Sequence, residues 1–159
     1  MTQTLLSVRD LEISFRTGGQ EVPVVRDLSF DLQRGETLGI VGESGCGKSI
    51  TALSLLGLVP NPPGRVSAGQ ILFQGEDLVQ ASEKRLNQIR GNEISMVFQE
   101  PMTSLNPVYS IGEQIAETAR AHFKLSRAEA WDRAVEMLAL VGIPSPGKRA
   151  HVYPHQLSG

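Results

Sequence analysis

A chain of 159 residues, 40% hydrophobic and 20% charged, has the material for one domain with a true core, which excludes the disordered and low-complexity classes. A formal net charge of -2, a pI of about 5.9 and the lack of any Lys/Arg-rich run exclude nucleic acid as the main partner, so any phosphate it binds is expected on a small molecule. Cys46, the only cysteine, excludes an internal disulfide and a thiolate metal cluster; with no apolar run approaching about 18 residues and no signal-peptide pattern in residues 1–10, a cytosolic chain, or one docked on a membrane from that side, is expected.

Leu11, Ile13 and Phe15 alternate with polar residues, Gly18-Gly19 supplies a turn, and Leu28, Phe30 and Leu32 alternate again before Arg34-Gly35. This predicts an antiparallel hairpin with one wet face. The pattern changes at Thr37-Leu38-Gly39-Ile40-Val41, a short apolar run with the signature of a buried parallel strand. Gly42-Glu43-Ser44-Gly45-Cys46-Gly47-Lys48-Ser49 follows and matches the phosphate-binding pattern G-x-x-x-x-G-K-[ST], and residues 50–58 have helical apolar spacing. In the order strand, loop, helix, glycines let backbone N–H groups turn inward around a phosphate at the positive end of the helix dipole. Lys48 is expected to reach the β- and γ-phosphates and the Ser49 hydroxyl to ligate Mg²⁺. An ordinary Gly-rich turn is the competing reading, and the flanking strand and helix argue against it. Cys46 near a helix N-terminus reads either as a reactive thiol or as a small residue at a variable position, the latter favoured because nothing else points to redox control. Glu43 is expected to be solvated, since a carboxylate aimed at a triphosphate would repel it.

Val59-Pro60-Asn61-Pro62-Pro63-Gly64 ends the helix, and a short strand is expected at 70–74. Ser82 is the N-cap expected for a helix to about Arg90, which Gly91 closes. Ile94-Ser95-Met96-Val97-Phe98 reads as a second core strand with Gln99 at its carboxyl end, where open α/β sheets bind ligands. By position alone, Gln99 is either a contact to phosphates or their metal, or a strand-terminating amide. Residues 101–108 read as loop. Ile111, Ile115, Ala119 and His122 share one face of a following helix, and Ser126-Arg127-Ala128-Glu129 is a capping box opening a second, whose apolar stripe is Ala130, Ala134, Met137 and Val141. Trp131 is read as packing rather than nucleotide stacking. Gly142, Pro144, Pro146 and Gly147 leave an irregular stretch to the end, in which Pro154 separates His151 from His155 and argues against a helical zinc pair.

With the phosphate loop, Gln99 and the closing Leu157-Ser158-Gly159 in this order, the chain resembles the nucleotide-binding subunit of ATP-binding cassette (ABC) transporters. Gly42-Glu43-Ser44-Gly45, the run from Gln99-Glu100-Pro101-Met102 to Thr103-Ser104-Leu105-Asn106-Pro107, and Tyr153-Pro154-His155-Gln156-Leu157-Ser158-Gly159 look like the dipeptide, oligopeptide and nickel importer branch. The resemblance implies an α/β P-loop NTPase fold of the ABC ATPase type. An antiparallel β lobe and P-loop core would fill residues 1–99; the Q-loop continuation and an α-helical lobe, up to the start of the signature motif, would fill 100–159. It implies ATP and Mg²⁺ as cofactors. Phe15 would stack on adenine, unless it is only a hydrophobic strand residue. Gly42, Glu43, Ser44, Gly45, Cys46, Gly47, Lys48, Ser49 and Ile50 would line the nucleotide, Ser49 and Gln99 would meet the metal, and Ser158 would contact a partner's nucleotide in trans. The implied partners are transmembrane permease subunits, touched by 102–109 and the helical lobe, and a second ATP-binding subunit in a homo- or heterodimer. The transported substrate would be held by other subunits, and the protein would be peripheral on the cytoplasmic face of the cell (inner) membrane.

The chain stops inside the signature motif, ahead of the family's Walker B aspartate, catalytic glutamate, D-loop and switch histidine. An ABC-type ATPase is therefore expected for the full-length family member, with no catalytic residue within these residues and no turnover by them alone. The core sheet is expected to be incomplete, leaving Ile40, Val41, Met96 and Phe98 poorly covered. Two functional readings follow: the amino-terminal part of a peptide or nickel importer's energy-coupling subunit, or a truncated non-hydrolytic nucleotide-binding or interaction fragment. A phosphate-loop kinase explains neither the helical lobe nor the Leu-Ser-Gly ending.

Overall fold

The computed structural model describes residues 4–98 and 104–157, and the chain divides into two units, Met1–Arg90 and Gly91–Gly159. In the first, β1 (Thr4–Thr17) and β2 (Gln20–Gln33) form the antiparallel hairpin, with Thr17 opposite Gln20. Gly18 and Gly19 have φ of 59° and 81°, the left-handed pair that a tight hairpin turn demands. β3 (Gly64–Phe73) pairs antiparallel with the other edge of β1, starting six residues before the strand expected from the sequence, and β4 (Glu76–Asp77) follows, giving the order β2-β1-β3-β4. β1 is therefore flanked on both sides, and Val8, Leu11, Ile13 and Ile71 of this sheet are completely buried.

Val8 and Leu11 both point inward although they are three positions apart, a spacing that strict alternation would place on opposite faces. Bulges reset the phase. Between the pairs Val8–Phe30 and Leu11–Leu28, β1 carries one extra residue, and Asp10, at φ 45°, lies within that step. Ser29 Oγ accepts from Asp10 N–H at 2.8 Å and closes the bulge. Between Leu11–Leu28 and Ile13–Val25 the extra residue is on β2, where Asp27 has φ 47°, so Val25 rather than Arg26 faces inward.

α1 (Lys48–Ser54) starts at the phosphate loop and is shorter than the 50–58 expected, because Leu56 N–H and Gly57 N–H turn back to Leu53 O and Ser54 O and Gly57 takes φ 62°. α2 (Glu83–Ile89) has its expected N-cap, Ser82 Oγ accepting from Arg85 N–H. Residues 37–41 depart from expectation: they form no strand, and Val41 is 92% exposed. Residues 95–98 of the second unit are likewise irregular, with Val97 94% exposed and Phe98 also exposed. The physical reason is common to both. A parallel strand takes its hydrogen bonds and the cover of both faces from neighbouring elements, and the one sheet among the described residues is antiparallel.

In the second unit, α3 (Ile111–His122) and α4 (Arg127–Leu140) pack together through Ala116, Ala119, Ala130 and Ala134, small residues that let the helices approach closely. Ser110 caps α3, and the expected capping box opens α4, Ser126 Oγ accepting from Glu129 N–H and Glu129 returning the bond to Ser126 N–H. The hydrogen bonds from Ser126 hold the Glu129 carboxyl below its ordinary range. The stripe on α4 runs through Leu138, not Val141: Leu138 is one turn beyond Ala134, whereas Val141 is the C-cap and is exposed. The tail is more ordered than expected. Pro146 starts the short α5 (Pro146–Arg149), and Pro154–Gln156 make a 3₁₀ turn. Ile111 and Gly112 N–H groups donate to Val152 O at 2.9 Å and Ala150 O at 2.8 Å, so backbone carbonyls satisfy the first turn of α3. A methyl on Gly112 would lie 2.8 Å from both Ala150 O and the Trp131 ring, so Trp131 packs here as expected.

Ile13→Ala is expected to cost about 3 kcal/mol, as a fully buried large-to-small change does, while Val22→Ala on the same hairpin stays within about 0.5 kcal/mol; urea unfolding of both variants checks the contrast.

Candidate phosphate-binding site

The loop 42–49 is a self-contained turn. Cys46 N–H donates to Glu43 O at 3.3 Å, and Gly45 and Gly47 take φ of 82° and 94°, where any other residue would be strained. The two glycines differ in their surroundings. A methyl at Gly45 would meet nothing within 4 Å, but one at Gly47 would lie 2.8 Å from Val25 Cγ2 and 3.3 Å from Val24 O, where β2 presses on the loop. A methyl at Gly42 would lie 2.5 Å from Cys46 Sγ. Sequence reasoning missed Val25, and no local pattern signals it, because the contact exists only once the sheet has formed.

Gly47 is the N-cap of α1 and offers no side-chain cap, and the first turn of the helix carries no acid. The leading amides of α1, at Lys48, Ser49 and Ile50, thus lack intrahelical acceptors and remain available to an anion. Lys48 Nζ sits over the loop, donating to Gly42 O at 2.7 Å and Glu43 O at 2.6 Å, with Cys46 Sγ at 3.4 Å. Ser49, Ser44 and the Cys46 thiol are exposed, as is Glu43, whose backbone carbonyl rather than its carboxylate meets Lys48. One ammonium, a hydroxyl, uncapped amides and glycine-lined space suit a phosphate chain with a divalent cation. Among the described residues no group of three His, Cys, Asp or Glu side chains is assembled to hold a metal by itself. His151 leans on Trp131 with ring centres 4.7 Å apart, and His155 stacks on Tyr153 at 5.9 Å.

Of the sequence candidates, the structure brings together Gly42 to Ser49 and Ile50. Phe15 is half-buried on β1, two residues beyond Ile13, the partner of Val25; a methyl at Gly64 would lie 2.8 Å from two carbons of its ring. Gln99 and Ser158 lie outside the described residues.

The family model described as ABC transporter matches residues 25–159. The chain belongs to the ABC transporter family. It is 54% identical, over 98% of its length, to the oligopeptide transport ATP-binding protein OppD of Bacillus subtilis, 43% of which is covered. It is 50% identical over 99% of its length to the dipeptide transport ATP-binding protein DppD of the same organism, covering 47% of it. The peptidoglycan transport ATP-binding protein YejF of Agrobacterium fabrum is 51% identical over 99% of the chain and is covered over 29%. The chain therefore spans less than half the length of these curated relatives. Two dimeric structures of the ABC transporter cassette MJ0796, one in a post-hydrolysis state bound to ADP and Pi, superpose with TM-scores of 0.79 and 0.76 at 23% and 21% identity; the matches cover 97% and 96% of this chain and 63% of each cassette. The fold is accordingly part of the α/β P-loop fold of ABC ATPase cassettes, with an antiparallel β sheet, a helical unit and an incomplete core sheet.

Gly47→Ala is expected to destabilise the protein by about 1–3 kcal/mol more than Gly45→Ala, since both incur left-handed strain but only Gly47 also meets β2; the difference is read from their urea midpoints.

Proposed function

We propose that the chain is the amino-terminal, ATP-binding part of the energy-coupling subunit of an ABC importer for peptides or nickel. The observation that carries this reading is the Lys48 ammonium seated over the loop at the uncapped head of α1. ATP would lie with its phosphates among Gly42, Glu43, Ser44, Gly45, Cys46, Gly47, Lys48, Ser49 and Ile50, and Mg²⁺ would be held by Ser49 and Gln99. Bound Mg²⁺ would supply charge neutralisation to the phosphates, Lys48 would add its own, and the α1 amides would orient the chain of phosphates. Phe15 would stack on adenine. Ser158 would contact the nucleotide of a second ATP-binding subunit, a homo- or heterodimeric arrangement supported by the dimers of the related cassette. The names of the relatives support the peptide branch.

The functional division we propose is 1–99 for the β lobe and P-loop core and 100–159 for the Q-loop continuation and helical lobe. Transmembrane permease subunits would dock on the helical lobe and the segment 102–109. In support, a groove of about 730 Å³ in this unit is lined by Leu105, Tyr109, Ile115, Phe123 and Met137, and Val108 and Tyr109 are exposed beside it. A peripheral place on the cytoplasmic face is supported by the names of the transport ATP-binding relatives; no helix among the described residues is long and apolar enough to cross a membrane. These 159 residues alone would bind nucleotide without turning it over: the only carboxylate of the loop, Glu43, is exposed and would be repelled by a triphosphate.

The chain is expected to bind MgATP, and Lys48→Ala to weaken binding by at least about a hundredfold, the loss of two or more charge-assisted contacts. Titration calorimetry that finds retained affinity in Lys48→Ala removes the assignment. Phosphate release is expected at background level; sustained turnover that disappears in Lys48→Ala would overturn the non-hydrolytic reading of these residues.

A further inference from the structure

The helix that carries Lys48 and Ser49 is held at its far end by a residue distant in sequence. α1 has seven residues, two turns, too few to stay helical unaided in water. Its head has no side-chain cap, and its last turn has no basic residue to meet the negative pole of its own dipole. Arg90 meets that pole instead. Its Nε donates to Leu56 O at 2.8 Å and its Nη2 to Gly57 O at 3.1 Å, the carbonyls of the turn that closes the helix.

The rest of the guanidinium is tied to α2, Nη1 donating to the Glu83 carboxylate and to Asn87 Oδ1 at 3.1 Å. The fork is thus oriented by its own element before it grips the phosphate-loop helix, and with the side chain only 21% exposed these charge-assisted bonds are partly shielded from water. Gly57 permits the approach. A methyl there would lie 2.8 Å from Leu86 Cδ1 and 3.3 Å from Arg90 Nη2.

We infer that Arg90 is a positioning residue for the nucleotide site: by gripping the carbonyls of Leu56 and Gly57 it sets where α1 lies, and with it Lys48 and Ser49 at the other end. The inference rests on the nucleotide-binding reading above. α1 spans only about 10 Å, so a shift or fraying at 56–57 reaches Lys48, whose ammonium has to stay over the loop carbonyls it now meets at 2.7 and 2.6 Å. Lysine at position 90 keeps the charge but lacks the planar fork needed to hold two carbonyls and two α2 side chains together.

The test measures, on the full chain, the Kd for MgATP and amide hydrogen exchange over 48–57 in the parent and in Arg90→Ala, Arg90→Lys and Arg9→Ala. Arg9 pairs with Asp31 within the hairpin and serves as the control for losing a guanidinium–carboxylate pair. Arg90→Ala is expected to weaken MgATP about tenfold and speed exchange over 48–57, Arg90→Lys to lose about threefold, and Arg9→Ala to change neither. Parental Kd and exchange in Arg90→Ala overturn the inference, as does an equal loss in Arg9→Ala. Should Arg90→Ala fail to fold, parental values in Arg90→Lys overturn it. A parent that binds no MgATP sinks the nucleotide reading itself, whereas normal binding by the parent with no effect at Arg90 sinks this inference alone.

Discussion

Val25 answers two demands at once. It pairs with Ile13 at the buried centre of the sheet, and its Cγ2 fills the space beside Gly47 at the head of α1. A side chain of that size in that place fixes the distance between sheet and phosphate loop, and it explains why Gly47 has no alternative: the left-handed backbone demands glycine, and so does the neighbour. Without the bulge between Leu28 and Val25, strict alternation would turn Arg26 toward the loop and Val25 toward water. A local irregularity in β2 therefore decides what the loop rests on.

The features legible in the sequence are those whose cause is local. The hairpin follows from Leu11, Ile13 and Phe15 against Leu28, Phe30 and Leu32 with Gly18-Gly19 between them; the helix starts follow from Ser82 and from Ser126 with Glu129; the phosphate loop follows from its spacing of Gly and Lys. The bulges were not legible, because nothing distinguishes Asp10 or Asp27 from other surface aspartates except a tolerance for positive φ that needs a partner strand to express it. The same limit explains residues 37–41 and 94–98. Their apolar composition is legible, but a parallel strand is a relation between segments, not a property of one. At the site, the loop was legible residue by residue, while its supports, Val25 from one strand and Arg90 from beyond two others, are contacts across long sequence separations that a motif does not encode.

The two ends of α1 divide the work between them. Its head gives up the stability of a cap, so that amides and ammonium face outward. Its foot recovers order through Leu53, Ser54 and the carbonyls of Leu56 and Gly57. The helical unit uses the opposite arrangement for α3, whose head is fully engaged by Ser110 and by the carbonyls of Ala150 and Val152.

That last engagement has a consequence for how freely the segment can be rewritten. The strap from 150 to 152 engages α3 through its main chain, and that engagement asks for a minimal side chain at Ala150, glycine at Gly112, and no proline at 111, where the amide is also spent. His151 and Val152 add side-chain contacts of their own, His151 against Trp131 with ring centres 4.7 Å apart and Val152 against the cluster of Ile111, Leu138 and Ala150, so recoding the strap for a different neighbour has to keep those two contacts if the helix it closes is to stay where it is.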